Sequence, residues 1–342
     1  MEAKRPSVAP SSGARDDSSI DVRLYDDAMR DEVVALFVTQ YGLDREAQAG
    51  LFASFYDDPF QRADSIRIVA LDRGRVCGFQ SFVRWPDERD GRLLRTFQSG
   101  NSLVAPTHRG QGIFGRLLRF VDESAETIVR DADFLMGFPV AESFGSFLRA
   151  GWQNPCDLSW MVRPIHPLSI WRGSPTVPVW EFAPDEATAA SVVRPDQFRL
   201  AGDPAFLNWR RRVFGNTPHF AFEYAAGGDV VRLALRPQQR GRATELIIGD
   251  IRCTAAPTAA STAFVAEGLD AFLKVARRHR HLTFVSMALN PHSADDTVRR
   301  ALRGHFFLPV RRRIHFIVRP IRRPDCADAT QWTLYRSDVD SW

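Results

Sequence analysis

The strongest constraint on this chain is that it repeats itself. Met161-Val162-Arg163-Pro164-Ile165 returns as Ile317-Val318-Arg319-Pro320-Ile321, 156 residues later. Leu148-Arg149 before Gly151-Trp152 returns as Leu302-Arg303 before His305-Phe306, at an offset of 154. The order of elements around these landmarks repeats too. In the first half a helix is expected over 31–40, then strands over 66–71 and 76–85 that flank the turn Asp72-Arg73-Gly74-Arg75. A strand over 93–104, ended by Pro106, leads to an amphipathic helix over 114–128. A strand over 134–139, a helix over 142–150 and a strand over 158–162 follow. The second half has strands over 222–225 and 230–235, a strand over 244–253, a helix over 262–278, a strand over 282–289 and a helix over 295–302. One element order at nearly constant spacing implies tandem copies of a single unit.

The expected class is α/β of the α+β type: two tandem domains, each a mostly antiparallel mixed sheet flanked by helices. The divisions read as a disordered leader over 1–19, a first copy over 20–165, a linker over 166–195, a degenerate second copy over 196–322 and a tail over 323–342. Composition excludes several other classes. The 342 residues are 44% hydrophobic and 25% charged, an ordinary globular balance. The longest apolar runs, such as 282–289, are strand-sized, so no membrane helix is expected. The leader has no apolar core, so no secretory signal is expected. Cys77, Cys156, Cys253 and Cys326 stand too far apart for metal-ligand or redox spacing, so neither a metal nor a disulfide framework is expected. A cytoplasmic location fits these features.

The net charge of +4 comes almost wholly from arginine, with Lys4 and Lys274 the lysines. Arg210-Arg211-Arg212 and Arg311-Arg312-Arg313 are short and lack interleaved aromatics, so no nucleic-acid partner is expected. His279 and His281 stand together at an expected helix end, where basic residues also suit the helix dipole. Phe206, Trp209 and Phe214 have core spacing and are expected to pack between the copies.

The chemistry concentrates in Val104-Ala105-Pro106-Thr107-His108-Arg109-Gly110-Gln111-Gly112-Ile113-Phe114-Gly115. A strand ends at proline, three glycines fall within six residues, and a helix begins at once. Glycine lets backbone N–H groups approach a ligand, and a helix N-terminus offers unpaired donors with partial positive charge. Together they suit a phosphate or pyrophosphate. No GxxxxGK[ST] is present. Gly110, Gly112 and Gly115 formally spell GxGxxG, but after a meander of strands rather than the first strand of a parallel unit, which argues against a dinucleotide fold.

With its flanks, this stretch resembles the GNAT superfamily of acyl-CoA-dependent N-acyltransferases. The resemblance rests on V-x-P-x-x-R-G-x-G-[IL], here Val104, Pro106, Arg109, Gly110, Gly112 and Ile113, and on the closing Gly151-Trp152. It covers residues 20–165, and the second half resembles a degenerate GNAT-like copy. It implies an acyltransferase moving an acetyl group from acetyl-CoA to a primary amine of a small molecule or sugar. Leu103 and Val104 would meet pantetheine, and Arg109, Gly110, Gln111, Gly112, Ile113, Phe114 and Gly115 the phosphates. Where the family often has an acidic tyrosine this chain has Phe147, and where it has asparagine, Val140. Glu142 is the candidate base, with Ser99 and Asn101 positioning water and Asp250 an alternative from the second copy. The second-copy turn over 253–263 lacks glycine, so no second cradle is expected. A non-catalytic acyl-CoA-binding or scaffold protein and a Fem-type aminoacyl transferase are the rival expectations.

Overall fold

A computed structural model describes residues 20–42, 44–171, 180–184, 196–214, 218–255 and 259–339. The leader expected over 1–19 lies outside them. The first copy opens with β1 (Ile20–Leu24) and two helices, α1 (Arg30–Tyr41) and α2 (Arg45–Tyr56). Asp44 starts α2 by accepting a hydrogen bond from the Ala47 N–H. A single turn, α3 (Pro59–Arg62), leads to the hairpin β2 (Ile66–Asp72) and β3 (Arg75–Arg84).

The strand expected over 93–104 is divided. β4 (Asp87–Arg89) and β5 (Arg92–Leu93) pair with each other in a small second sheet, and β6 (Thr96–Val104) alone enters the main one. The helix expected over 114–128 is divided as well. α4 (Ile113–Glu123) ends at Ser124, which leaves helical geometry at φ −106° and ψ 15°, and α5 (Ala125–Ile128) is a separate turn. α4 buries Ile113, Leu117, Leu118 and Val121, the apolar stripe its spacing foretells. β7 (Phe134–Gly137), α6 (Ala141–Arg149) and β8 (Gln153–Pro164) complete this half.

The second half contains β9 (Ala183–Pro184), β10 (Arg199–Leu200), α7 (Pro204–Phe214), β11 (Phe220–Ala226), β12 (Asp229–Arg240) and β13 (Ala243–Cys253). It continues with α8 (Ala259–Ala276), β14 (Leu282–Leu289), α9 (Thr297–Gly304) and β15 (Leu308–Pro320). β9 falls within the expected linker and adds an edge to the sheet, and β10 pairs with β4.

The copies share one twelve-stranded sheet in the order β1-β2-β3-β6-β7-β15-β8-β14-β13-β12-β11-β9. At its centre they have exchanged their last strands. β15, from the second copy, pairs antiparallel with β7 of the first, and β8, from the first, pairs antiparallel with β14 of the second. The repeated sequence motif sits at matching registers in both exchanges. Ile317 to Pro320 face Gly137 to Phe134, while Met161 to Pro164 face Met287 to Phe284. The exchanged strands then pair with each other, Ile314 opposite Leu158 and Phe316 opposite Cys156.

Aromatic packing ties the halves together beneath this seam. Trp332, from the tail, is fully buried and meets Phe134, Phe198 and Phe316 at 4.7–5.3 Å between ring centroids. Trp209 of α7 packs against Phe55, Phe60 and Trp85, and its indole N–H donates to the Phe55 carbonyl. Phe206, Trp209 and Phe214 thus join second-half helix α7 to the first copy.

A chain ended after residue 165 lacks β15, so the β7 edge and the apolar faces of Phe134 and Met136 lose their cover. Such a fragment is expected to show no cooperative thermal transition by circular dichroism. A well-folded fragment 20–165 would contradict the exchange.

Candidate functional site

The first-copy site lies where β6 leaves its neighbour. β6 pairs in parallel with β7 through Thr96↔Phe134, Phe97↔Leu135 and Gln98↔Met136, and there the pairing stops. Its other edge stays joined to β3 as far as Val104. From Ser99 onward the β7-facing edge of β6 has no strand partner among the described residues. Unpaired strand edges bind extended ligands through their backbone groups. Close approach at the fork explains Gly137, where a Cβ would stand 3.2 Å from Ser99 Cβ and 3.6 Å from Ile317 Cγ1. β6 also carries an extra residue opposite β3, because Gln80 pairs with Ser102 whereas Phe82 pairs with Ser99. Such a bulge bends its strand and re-aims the groups around it.

The two polar residues expected on β6 have different direct partners, linked through Ser81, whose carbonyl accepts from Gln80. Ser99 Oγ accepts from Gln80 Nε2 at 3.1 Å, and Gln80 Oε1 accepts from Ser102 Oγ at 2.5 Å. Asn101 instead accepts from the Tyr41 hydroxyl at 3.2 Å and donates to the Tyr56 hydroxyl at 2.8 Å. Tyr56 OH and Ser81 Oγ share a further hydrogen bond of 2.8 Å. Burial pushes the Tyr56 phenol well above its ordinary range, so it stays a neutral hydrogen-bonding group. Tyr41, Tyr56 and Gln80 are site residues that the sequence reading passes over. Gln98, at the last paired position, is fully buried, and neither of its amide atoms has a partner among the described residues.

Beyond β6 the chain turns through Pro106–His108 and enters α4 at Gly112. Gly110 and Gly112 have φ of 75° and 73°, the left-handed region where glycine carries no Cβ penalty. A Cβ at either would have no neighbour within 4 Å, so conformation rather than crowding calls for glycine there. No side chain caps the helix, so its first N–H groups remain for a ligand. At Gly115 φ is not positive, and a Cβ would meet only the Arg119 guanidinium at 3.5 Å. Its missing side chain leaves the first turn of α4 uncluttered.

The side chains of this loop brace it. Arg109 donates to the Val104 carbonyl at 3.2 Å and to Gln40 Oε1 at 2.6 Å, tying the loop to α1. His108 Nε2 lies 3.2 Å from Asp72 Oδ2, and Gln111 Nε2 donates to the Thr107 carbonyl. Ile113 is buried, and Phe114 packs edge-on against Phe147 at 5.3 Å. Leu103 is buried in the core, so a pantetheine at this position meets backbone rather than its side chain. Glu142 stands exposed in the first turn of α6, with Val140 exposed just before it.

The second copy repeats the fork. β13 pairs in parallel with β14 from Thr244 to Ile248 and then separates. Here the chain's own tail enters. Leu289 bridges to Tyr335, and the Asn290 N–H donates to the Leu334 carbonyl. β8 holds the other edge of β14 as far as Leu289, so the tail lies on the β13 side. Asp250 is buried beneath it, accepting from Ser337 and paired with Arg252 at 3.1 Å. It stands five strands from β6, roughly 24 Å at about 4.8 Å per strand, and the structure does not bring it to Ser99, Asn101 or Glu142. The turn expected to lack a cradle includes residues 256–258, which lie outside the described residues.

No family model and no curated protein sequence matches the chain. Solved structures do resemble it. A probable N-acyltransferase from Enterococcus faecalis V583 is 9% identical at a TM-score of 0.59, with 89% of this chain and 72% of that one covered. A GCN5-related N-acetyltransferase from Anabaena variabilis is 12% identical at 0.57, covering 88% and 72%. Another from Kribbella flavida is 13% identical at 0.54, covering 89% and 72%. The chain therefore has the fold of the GCN5-related N-acetyltransferases, in a tandem two-copy form. Among the described residues, no helix is long and apolar enough to cross a membrane.

The tail that fills the second fork carries a pH signature. Burial pushes the Asp338 carboxyl up to about 7 and the neighbouring Asp87 carboxyl well above its ordinary value. A carboxyl whose pKa is higher in the folded chain stabilises folding fully below its unfolded value of about 3.9 and loses that contribution as pH rises through the folded one. Unfolding free energy should therefore fall from about pH 4 to pH 7. Asp338→Asn, which keeps an oxygen for the Tyr335 N–H, should flatten that fall in denaturant melts. An unchanged profile would contradict the buried placement of this carboxyl.

Proposed function

We propose that this chain transfers an acetyl group from acetyl-CoA to a primary amine, and that the first copy alone holds the CoA. The observation that carries the reading is continuity: the unpaired edge of β6 beyond Gln98 leads, through the short turn Pro106–His108, to the uncapped, glycine-started N-terminus of α4. An extended pantetheine arm lies along Ser99 to Val104 and a pyrophosphate reaches the amides of Gly112 to Gly115. The bulged backbone near Gly100 polarises the thioester carbonyl, as preorganised N–H groups do in acyl transfer. The acceptor is a small-molecule amine, with an amino sugar as the first class to test.

One observation favours a second reading, a non-catalytic acyl-CoA-binding protein. Phe147 is buried between Phe114 and Trp152 and has no proton to give. A Fem-type aminoacyl transferase would not need the glycine-started turn.

The test is thermal stability with and without acetyl-CoA, in the wild type and in Gly112→Asp. Ligand at a hundred times its Kd adds about 2.7 kcal/mol of stability. The wild type should shift upward and the aspartate variant should not, because its carboxylate repels phosphate at the helix N-terminus. Turnover with an amine panel supports the transferase, whereas binding without any turnover favours the second reading. No shift at saturating acetyl-CoA overturns both.

A further inference from the structure

The exchanged strand β15 brings a histidine alongside β7, on the side away from β6. His315 Nδ1 stands 2.9 Å from Asp157 Oδ1 on β8, a pair separated by 158 residues in the sequence. Its ring stacks face to face on Phe144 of α6, with centroids 4.0 Å apart and planes 8° from parallel. Asp157 is oriented in turn. Arg313 lies 3.6 Å from its other oxygen, and Asn154 Nδ2 donates to Oδ1 at 3.3 Å. The imidazole is thus locked on one edge and one face. Its Nε2 has no partner among the described residues, and the side chain is 28% exposed.

Register places this ring beyond the paired end of β7, two strand steps, roughly 10 Å at about 4.8 Å per strand, from β6. Ile317 faces Gly137, the residue against Ser99, on antiparallel strands. His315 is two residues further toward the open end, on the same face of the sheet as Ile317 and about 7 Å along the strand. Helix α6, which follows the fork directly, covers it through Phe144. The charged groups beside it are Asp157 on β8 and Arg313 on its own strand, and α6, packed against it through Phe144, also carries Glu142 and Arg149. β7 contributes Phe, Leu, Met and Gly, none of them titratable.

We propose that His315 is the general base of acetyl transfer, positioned by Asp157, so that the second copy completes the active site of the first. This rests on the acetyltransferase reading above. The amine nitrogen attacks the thioester carbon, a C–N bond forms and the C–S bond breaks. The amine proton passes to His315 Nε2 and from there to the departing thiolate, leaving an amide, free CoA thiol and neutral imidazole. A base whose other ring nitrogen is held by a carboxylate keeps one tautomer, the arrangement general-base catalysis needs. It also accounts for an enzyme that lacks a tyrosine at Phe147.

The experiment compares wild type, His315→Gln, His315→Phe and Asp157→Asn. First, each is tested for the stability rise given by acetyl-CoA, which shows that it is folded and loaded. Initial rates from pH 5.5 to 9 with the best amine of the panel follow. His315→Gln and His315→Phe should retain the stability rise and lose about 100-fold or more in kcat, with the ascending limb of the pH profile abolished. Asp157→Asn should keep that limb but displace it to another pH, a shift that a purely structural role would not give. An unchanged kcat and pH profile in both His315 variants, while the wild type turns over, overturns this inference and leaves the acetyltransferase reading intact. Absence of wild-type binding and turnover removes that reading itself.

Discussion

The structure depends on the reciprocal exchange of β8 and β15. Without it, β7 and β14 would each present an unpaired edge at the centre of the molecule, and neither half would finish its sheet. Exchange satisfies both edges and creates the β8–β15 seam, so folding couples the two copies. The aromatic cluster of Phe134, Phe198, Phe316 and Trp332 lies under this seam and draws residues from both copies and the tail. Burying rings of this size contributes on the order of 2–3 kcal/mol each. A mutation in one copy therefore reaches the other through shared core.

The two forks have opposite fates. In the first, β6 and β7 part before a turn with two left-handed glycines and an uncapped helix, so the space remains for an extended ligand. In the second, the tail supplies a backbone bridge at Leu289 and covers Asp250. One fold thus gives an open fork in one copy and a tail-filled fork in the other. The second copy also supplies β15, whose His315 pairs with Asp157 of the first.

Much of this was legible in the sequence. The order of elements, the amphipathic α4 and the glycine-started turn follow from apolar spacing and from glycine's access to positive φ. The exchange was not legible, because Met161-Val-Arg-Pro and Ile317-Val-Arg-Pro pattern alike whether they pair within a copy or across copies. β8 begins at Gln153, five residues before the expected strand, since Asn154 and Asp157 break its apolar run. α2 escaped because its buried face is Gln48, Phe52 and Tyr56, one of the three polar, in a helix that also carries Ala and Gly. The His315–Asp157 pair was invisible for the same reason as the exchange. Only the register of β15 brings the two residues together.

Acetyl-CoA held by the first copy alone would lie along β6 and on the α4 N-terminus. Amide hydrogen exchange with and without acetyl-CoA tests it most directly. Ligand should slow exchange over residues 99–104 and 110–116 and leave residues 249–255 and 259–263 unchanged. Slowing in the second-copy segment, or none at 110–116 under saturating ligand, would contradict it.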